Sequence, residues 1–246
     1  NCNIIIDTTY LSPLCYNDNA QELSWLNSGG LGPYTSELID NNNNVWYGPN
    51  SGLNPVSLIN TLPPGLYTLS VSDISGCYST LNIPIIQPDS LNIDFTSTDL
   101  QCFGDDNGSI SAIATGGTTS LFNSYNYSWS PGNQSSFNIS NLIAGTYSVV
   151  VTDDNNCQLS SSYLLNEPNQ LIIDSIVSTY ISCNPGIDGT ATVYVSGGIQ
   201  PFYYNWNIPN SGIPQTTQIA SQLSISGNYS VLVSDSNGCV VSDNIY

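Results

Sequence analysis

The stretch GTYSVVVTDDNNC, residues 145–157, decides the fold. Tyr147, Val149 and Val151 alternate with Ser148, Val150 and Thr152. That period of two predicts a half-buried β-strand, with one face on a core and the other in water. The run Asp153-Asp154-Asn155-Asn156 predicts a tight turn, because short polar side chains bond their own backbone and tolerate left-handed conformations. The phrase recurs as GLYTLSVSDISGC at 65–77 and GNYSVLVSDSNGC at 227–239, each with Gly first, Tyr third, Asp ninth and Cys last.

Further spacings coincide on either side of it. Cys15, Cys102 and Cys183 each precede a Gly-Gly pair by fourteen residues, and Cys77 and Cys157 each precede a Pro, Pro88 and Pro168, by eleven. Three repeats follow, 1–88, 89–168 and 169–246, joined at IIQP and LNEP with no flexible linker. The same spacing calls for a Pro eleven residues after Cys239, which a chain ending at Tyr246 does not reach. The chain is therefore expected to be a piece of a longer array. SISAIAT (109–115) and TATVYVS (190–196) read as strands ending in Gly-Gly turns, and YNYSW and FYYNW as strands carrying Trp129 and Trp206. No window has helical periodicity with caps. Short strands with a turn signal every 8–12 residues or so are the mark of a β-sandwich. Leu62-Gly65-Tyr67 and Leu142-Gly145-Tyr147 match the tyrosine corner of that fold, and Leu223-Gly227-Tyr229 does so with one extra residue. The predicted architecture is all-β, with three tandem immunoglobulin-like β-sandwich domains stacked end to end.

Composition narrows the function. The 246 residues include 18 acidic ones and no Lys, Arg or His, for a net charge of −18. Nucleic acid is excluded as a partner and an anionic membrane surface is disfavoured, since both need basic groups. No apolar run approaches the 18 or so residues of a membrane span, so membrane insertion is not expected. Asn1 follows no signal-peptide pattern. Without His there is no Ser-His-Asp or Cys-His catalysis, and without Lys no Schiff base. A carboxylate pair for glycoside hydrolysis is formally available, but the acids sit in turns, so no enzyme is expected. Seven Cys at matching spacings point to an oxidising, extracellular compartment.

The combined pattern runs Cys-x-Gly-x-x-x-Gly, a strand, Gly-Gly, Pro-Tyr-x-x-x-Trp, then Leu-x-x-Gly-x-Tyr-x-Val-x-Val-x-Asp-x-x-Gly-Cys. It resembles the SprB repeat, from which giant surface adhesins of Bacteroidota are built, including those used in gliding motility. The second repeat is nearest, with CFGDDNGSISAIATGG, and the third follows with CNPGIDGTATVYVSGG. The first diverges, with Gln21 where the family has Gly and Leu38 where it has Trp, although Gly32-Pro33-Tyr34 is kept. The resemblance implies export by the type IX pathway, a cell-surface location, a role as adhesin or stalk, and no catalytic residues. Many relatives carry two more Cys, at the positions of Asp106 and Ile143, and their joint absence here implies that those two pair with each other.

Two pairings of the present cysteines compete. Within repeats, Cys15 would join Cys77, Cys102 would join Cys157 and Cys183 would join Cys239, leaving Cys2. Between repeats, Cys15 would join Cys157 and Cys102 would join Cys239. Cys2 would then join Cys77, and Cys183 would await a following domain. In an immunoglobulin-like topology the first Cys of a repeat ends strand A and the last begins strand G, at opposite ends of strands about 20–25 Å long. A disulfide needs Cα atoms within about 7 Å, which favours the second scheme.

Asp105, Asp106, Asp153, Asp154 and Asp235 are hard oxygen ligands that could hold Ca²⁺, though Asp and Asn are ordinary turn formers. No other cofactor is expected. Trp129 and Trp206 read as core rather than as a sugar platform. Asp7-Thr8-Thr9, Asp89-Ser90-Leu91 and Asp174-Ser175-Ile176 match the pattern that Bacteroidota O-glycosylate, making Thr8, Ser90 and Ser175 the candidates. The expected role is mechanical, a stalk or filament segment of a secreted adhesin. Its partners are neighbouring repeats of the same chain and, for adhesion, surface polysaccharide. Alternatives are a glycan- or surface-binding module and a subunit of a non-covalent filament.

Overall fold

The computed structural model describes residues 3–119, 125–179, 188–209, 214–223 and 227–246. The first repeat contains β1 (Ile5–Leu11), β2 (Glu22–Ser28), β3 (Thr35–Asp40), β4 (Val45–Ser51), β5 (Val56–Ile59), β6 (Gly65–Ser72) and β7 (Tyr78–Ile85). The second contains β8 (Asn92–Thr98), β9 (Gly108–Thr115), β10 (Asn126–Ser130), β11 (Asn138–Leu142), β12 (Gly145–Thr152) and β13 (Gln158–Leu165). The third contains β14 (Ile172–Ser178), β15 (Gly189–Ser196), β16 (Tyr203–Asn207), β17 (Ile219–Leu223), β18 (Tyr229–Ser234) and β19 (Val240–Ile245). Among the described residues there is no helix.

Each sheet draws its strands from one repeat. The orders are β1-β2-β5 with β4-β3-β6-β7, β8-β9-β11 with β10-β12-β13, and β14-β15-β17 with β16-β18-β19. Strands one, two and the penultimate-but-one form one layer and the rest the other, which is the immunoglobulin-like β-sandwich. The motif GLYTLSVSDISGC is β6, a two-residue turn and the approach to β7, paired in register from Gly65↔Ile85 to Ser72↔Tyr78. Its third-repeat counterpart pairs from Tyr229↔Ile245 to Ser234↔Val240.

By contacts the chain forms two compact units, Asn1–Asp94 with Ala114–Ser128 and Val150–Ser161, and Phe95–Ile113 with Trp129–Val149 and Ser162–Tyr246. The first therefore groups the first repeat with part of the second, and the other groups the rest of the second with the third.

In the first unit the core gathers Leu23, Trp25, Leu38, Leu62, Tyr67, Leu69, Val71 and Ile83. Leu38 stands where the other repeats have Trp and is fully buried, and Trp25 on the facing strand β2 is buried with it. The count of residues from the Gly-Gly turn puts Ala112 and Val193 at the Trp25 position. The large side chain has thus moved from β3 to β2, and the volume is conserved across the sandwich, as close packing requires. The third repeat's core has the other arrangement, with Trp206 and Val193 both fully buried in one cluster with Ala191, Val231 and Val233. Trp129 and Trp206 are interior side chains whose indole N–H groups donate to the backbone carbonyls of Ser136 and Thr217, at 2.9 and 3.0 Å.

Two of the predicted tyrosine corners are seen among the described residues. Tyr67 donates its hydroxyl to Pro63 O at 2.7 Å, and Tyr147 to Ile143 O at 3.0 Å. Each ties the start of a strand to the loop before it and so fixes where β6 and β12 begin.

Candidate functional site: the junctions between repeats

The repeated Asp is the first component. Asp153 is 2% exposed. One carboxylate oxygen accepts from the amides of Asn155 and Cys157, both at 2.9 Å, and closes the hairpin turn. The other accepts from Thr118 N at 2.8 Å and holds the Gly116-Gly117 turn, 35 residues away in sequence. Asp154 N donates in return to Thr118 O at 3.0 Å. Asp73 does the same with Ser75 N, Cys77 N and Leu31 N, and Asp235 with Asn237 N, Cys239 N and Ile199 N. At Asp73 such bonds favour the ionised form. At Asp73 the hydroxyl of Ser75 contributes most, followed by Leu31 N, and the carboxyl is lowered from 3.8 to about 2 despite burial.

The Gly-Gly pair is dictated by the same turn. Gly116 and Gly117 have φ of 77° and 64°, which L side chains rarely adopt. A Cβ on Gly116 would lie 2.0 Å from Ser90 O, and one on Gly117 would lie 2.6 Å from the Asp153 carboxylate. The hydroxyl of Tyr125 caps Gly116 O at 2.8 Å.

These turns carry the contacts to the neighbouring repeat. In the first unit Cys15, in the turn after β1, is bonded to Cys157, with Cα atoms 5.6 Å apart. Beside the bond, Asn155 Nδ2 donates to Leu14 O at 3.0 Å. The sulfur of Cys157 lies 3.4 Å from that same carbonyl. Asn17 N donates to Gln87 Oε1 at 2.7 Å, so the residue before Pro88 clips the cysteine turn. Gly117 N donates to Asp89 O at 2.9 Å, so the residue after Pro88 is held by the Gly-Gly turn of the second repeat. A groove of about 590 Å³ runs here, lined by Pro13, Leu14, Ile86, Gln87, Pro88, Thr118 and Asn155 among others, with no acidic or basic side chain. General acid–base chemistry has no group to work with there.

The second unit repeats these parts one for one. Cys102 is bonded to Cys239, with Cα atoms 5.5 Å apart. Asn237 Nδ2 donates to Gln101 O at 2.9 Å, and the Cys239 sulfur lies 3.3 Å from that carbonyl. Gly104 N donates to Glu167 Oε2 at 2.7 Å, and Gly198 N to Asn169 O at 2.9 Å. Each disulfide is thus accompanied by an Asn clip, a Gln or Glu clip before the Pro and a glycine amide after it. Cys77 is also disulfide-bonded. Cys2 and Cys183 lie outside the described residues.

The remaining candidates fall as follows. Asp105 accepts from Cys102 N at 3.1 Å and from Asn107 Nδ2 at 3.0 Å, which organises the cysteine turn. Asp106 and Asp154 are exposed. Among the described residues no group of three or more His, Cys, Asp or Glu side chains gathers within reach of one metal ion. Ser90 and Ser175 are exposed, whereas Thr8 is half-buried on the face of β1 that also carries the core-facing Ile4 and Ile6. The clips made by Gln87, Glu167, Asn155 and Asn237 are absent from the sequence-based expectations. Their signal is an Oε acceptor before each linking Pro and an Asn two residues before each junction Cys.

Residues 95–134 and 175–210 match the family model described as SprB repeat. Each match includes the cysteine-turn Cys, the Gly-Gly pair and the core Trp of its repeat. No curated protein matches the chain by sequence. Among solved structures, the chain is similar to Sidekick-1 immunoglobulin domains 1–5, at 11% identity and a TM-score of 0.45 over 98% of this chain and 57% of that one. It is similar also to the N-terminal eight immunoglobulin domains of the Down syndrome cell adhesion molecule, at 12% identity and 0.36 over 99% of this chain and 41% of that one. A third likeness is to the C-terminal 282-residue fragment of intimin, at 14% and 0.35 over 70% and 66%. The chain therefore spans about half the length of the first two. Over residues 95–134 and 175–210 this chain is similar to SprB repeats.

Proposed function

We propose that this segment is a structural repeat region of a cell-surface adhesin, serving as stalk rather than as enzyme or receptor. The observation that supports this most is the junction. The same covalent and hydrogen-bonded fittings occur twice, at Cys15–Cys157 and at Cys102–Cys239. A chain that spends its repeated residues on fastening one repeat to the next is specialised for transmitting position, not for turning over a substrate. The match to SprB repeats supports a place outside the cell, as do disulfides, which persist only in oxidising surroundings. A net charge of −18 with no cationic side chain keeps neighbouring copies apart. The finer reading is export by the type IX pathway and service in attachment or gliding over surface polysaccharide, with Ser90 and Ser175 as glycan acceptors.

The test is made on intact cells that produce the protein. Antibody against residues 89–168 should label them without permeabilisation. Deleting residues 89–168 in frame, with Cys15 and Cys239 changed to Ser so that no thiol is orphaned, should shorten the surface structure and leave what it binds unchanged. Labelling only after permeabilisation would overturn the location, and altered binding specificity would favour a binding module.

A further inference from the structure

The Asn clips beside Cys157 and Cys239 are built on the same turn and differ in the residue that follows. Asn155 Nδ2 holds Leu14 O, and Asn156 comes next. Asn237 Nδ2 holds Gln101 O, and Gly238 comes next. Asn156 N donates to Asp153 O and Gly238 N to Asp235 O, both at 3.1 Å. Asn156 and Gly238 both have positive φ, 65° and 85°. The backbone path is shared, and what differs is the side chain after the clip. We infer that Asn237 is a site of spontaneous covalent modification, at which the amide that clips the second junction is converted to a carboxylate. The significance for a stalk rests on the adhesin reading; the chemistry does not.

The reaction needs only the chain and water. Base removes the proton from Gly238 N, and that nitrogen attacks Asn237 Cγ. The new N–Cγ bond closes a five-membered succinimide. The Cγ–Nδ2 bond breaks, and Nδ2 takes up a proton and leaves as ammonia. Water then adds to either ring carbonyl and reopens the ring. One opening gives aspartate at position 237; the other gives isoaspartate, with the backbone running through Cγ. One water is consumed, one ammonia is released, and nothing is oxidised or reduced. A side chain on the residue that supplies the nitrogen crowds the ring, and Gly238 has none. Asn237 and Gly238 are both exposed, and no heavy atom beyond the chain neighbours lies within 4 Å of where a Gly238 Cβ would be. Freeing Gly238 N costs one hydrogen bond in an exposed turn, and such turns open locally at low free energy.

The sequence contains a second Asn-Gly pair, Asn107-Gly108, and the structure protects it. Gly108 is buried at the start of β9, opposite Leu142. A Cβ there would lie 2.6 Å from Leu165 and 2.9 Å from Leu100, so its backbone is walled in by the core. Asn107 is held as well, with Nδ2 donating to Asp105 Oδ2 at 3.0 Å and Oδ1 accepting from Gln101 N at 3.4 Å. Two pairs that are equal in sequence are therefore unequal in the fold. Conversion at 237 has a local consequence. A carboxylate oxygen replaces the N–H donor 2.9 Å from Gln101 O, so two acceptors face each other. Isoaspartate also adds a methylene to the backbone between Asn237 N and Cys239 N, the two amides that one Asp235 oxygen holds at 2.9 Å. The second junction loosens with age, and the first keeps its clip.

The experiment ages the chain of residues 1–246 in mildly alkaline buffer, folded and oxidised in one sample, reduced and unfolded in urea in the other. Peptic peptides are then followed by mass spectrometry. In the unfolded sample the peptides holding Asn107 and Asn237 should be converted at similar rates. In the folded sample the Asn237 peptide should be converted, while those of Asn107 and Asn155 persist. An Asn237 peptide that survives in the folded sample overturns the inference, as does an Asn107 peptide lost as fast as that of Asn237. The second arm is Asn237→Asp, which reproduces one product. Dithiothreitol should reduce its Cys102–Cys239 bond faster than in the wild type, with the rate at Cys15–Cys157 unchanged. Equal rates overturn the loosening of the junction. The ageing arm uses the wild-type chain, so it decides even where the variant fails to fold. Labelling of cells only after permeabilisation overturns the adhesin reading and leaves this chemistry standing.

Discussion

Replacing Asp153 with Ala tests whether the hairpin Asp is only a turn former or also fastens the Gly116-Gly117 turn to the β12–β13 hairpin. The carboxylate takes three backbone donors, Thr118 N, Asn155 N and Cys157 N, at 2.8 to 2.9 Å, and is 2% exposed. A hydrogen bond to a charged acceptor contributes about 1.5–3 kcal/mol, and a buried donor left without acceptor costs a similar amount. Three bonds sharing one group are not additive, so the expected loss is roughly 3–5 kcal/mol. For a repeat of this size that lowers the melting temperature by roughly 15 °C or more. Asp153→Asn is expected to cost about half as much. It keeps one oxygen for Asn155 and Cys157 but turns an amide N–H against Thr118 N–H. The assay is hydrogen exchange at Thr118, Asn155 and Cys157, read together with thermal melting of the oxidised protein. In the Ala variant all three amides should lose protection, including Thr118 on the far turn. Protection of Thr118 unchanged, with melting within about 2 °C of wild type, would refute the cradle.

Two further outcomes follow from the same structure. The Asp73 carboxyl is lowered to about 2 from 3.8, so the stability it adds is fully present above about pH 4 and is lost as pH falls toward 2; the amides of Leu31 and Ser75 should lose exchange protection across that window and not above it. Trp25→Ala should cost about 3–5 kcal/mol through the cavity it leaves, and Trp25→Ala with Leu38→Trp, which restores the arrangement of the other repeats, should regain at least half in urea unfolding. Purely additive losses in the pair would show that the two sites do not share volume.

Much of the fold was legible because it depends on local chemistry that recurs three times. Alternation in YSVVV marks a strand in any context, and Tyr147 four residues after Ile143 can only close a local loop. The Gly-Gly pairs announced a turn needing positive φ. The junction was partly legible, since a Gln or Glu stands before each linking Pro and an Asn two residues before Cys157 and Cys239. Those residues read as ordinary turn and linker chemistry until the carbonyls of Leu14 and Gln101 are seen opposite them.

The sequence by itself determined the repeat, the sandwich class and the exclusion of His- and Lys-based chemistry. These follow from composition, period and spacing, which are properties of the chain alone. Only the tertiary structure decided three things. It chose between two cysteine pairings that spacing left open, because a disulfide answers to a distance of about 5.5 Å between Cα atoms and not to a count of residues. It turned the repeated Asp from a local turn former into a buried acceptor for a turn 35 residues away. It showed that Leu38 is no defect, because Trp25 fills the same core from the facing strand. Each depends on which surfaces meet across a sandwich or a junction. One-dimensional spacing does not encode that, because residues far apart in the chain satisfy it together.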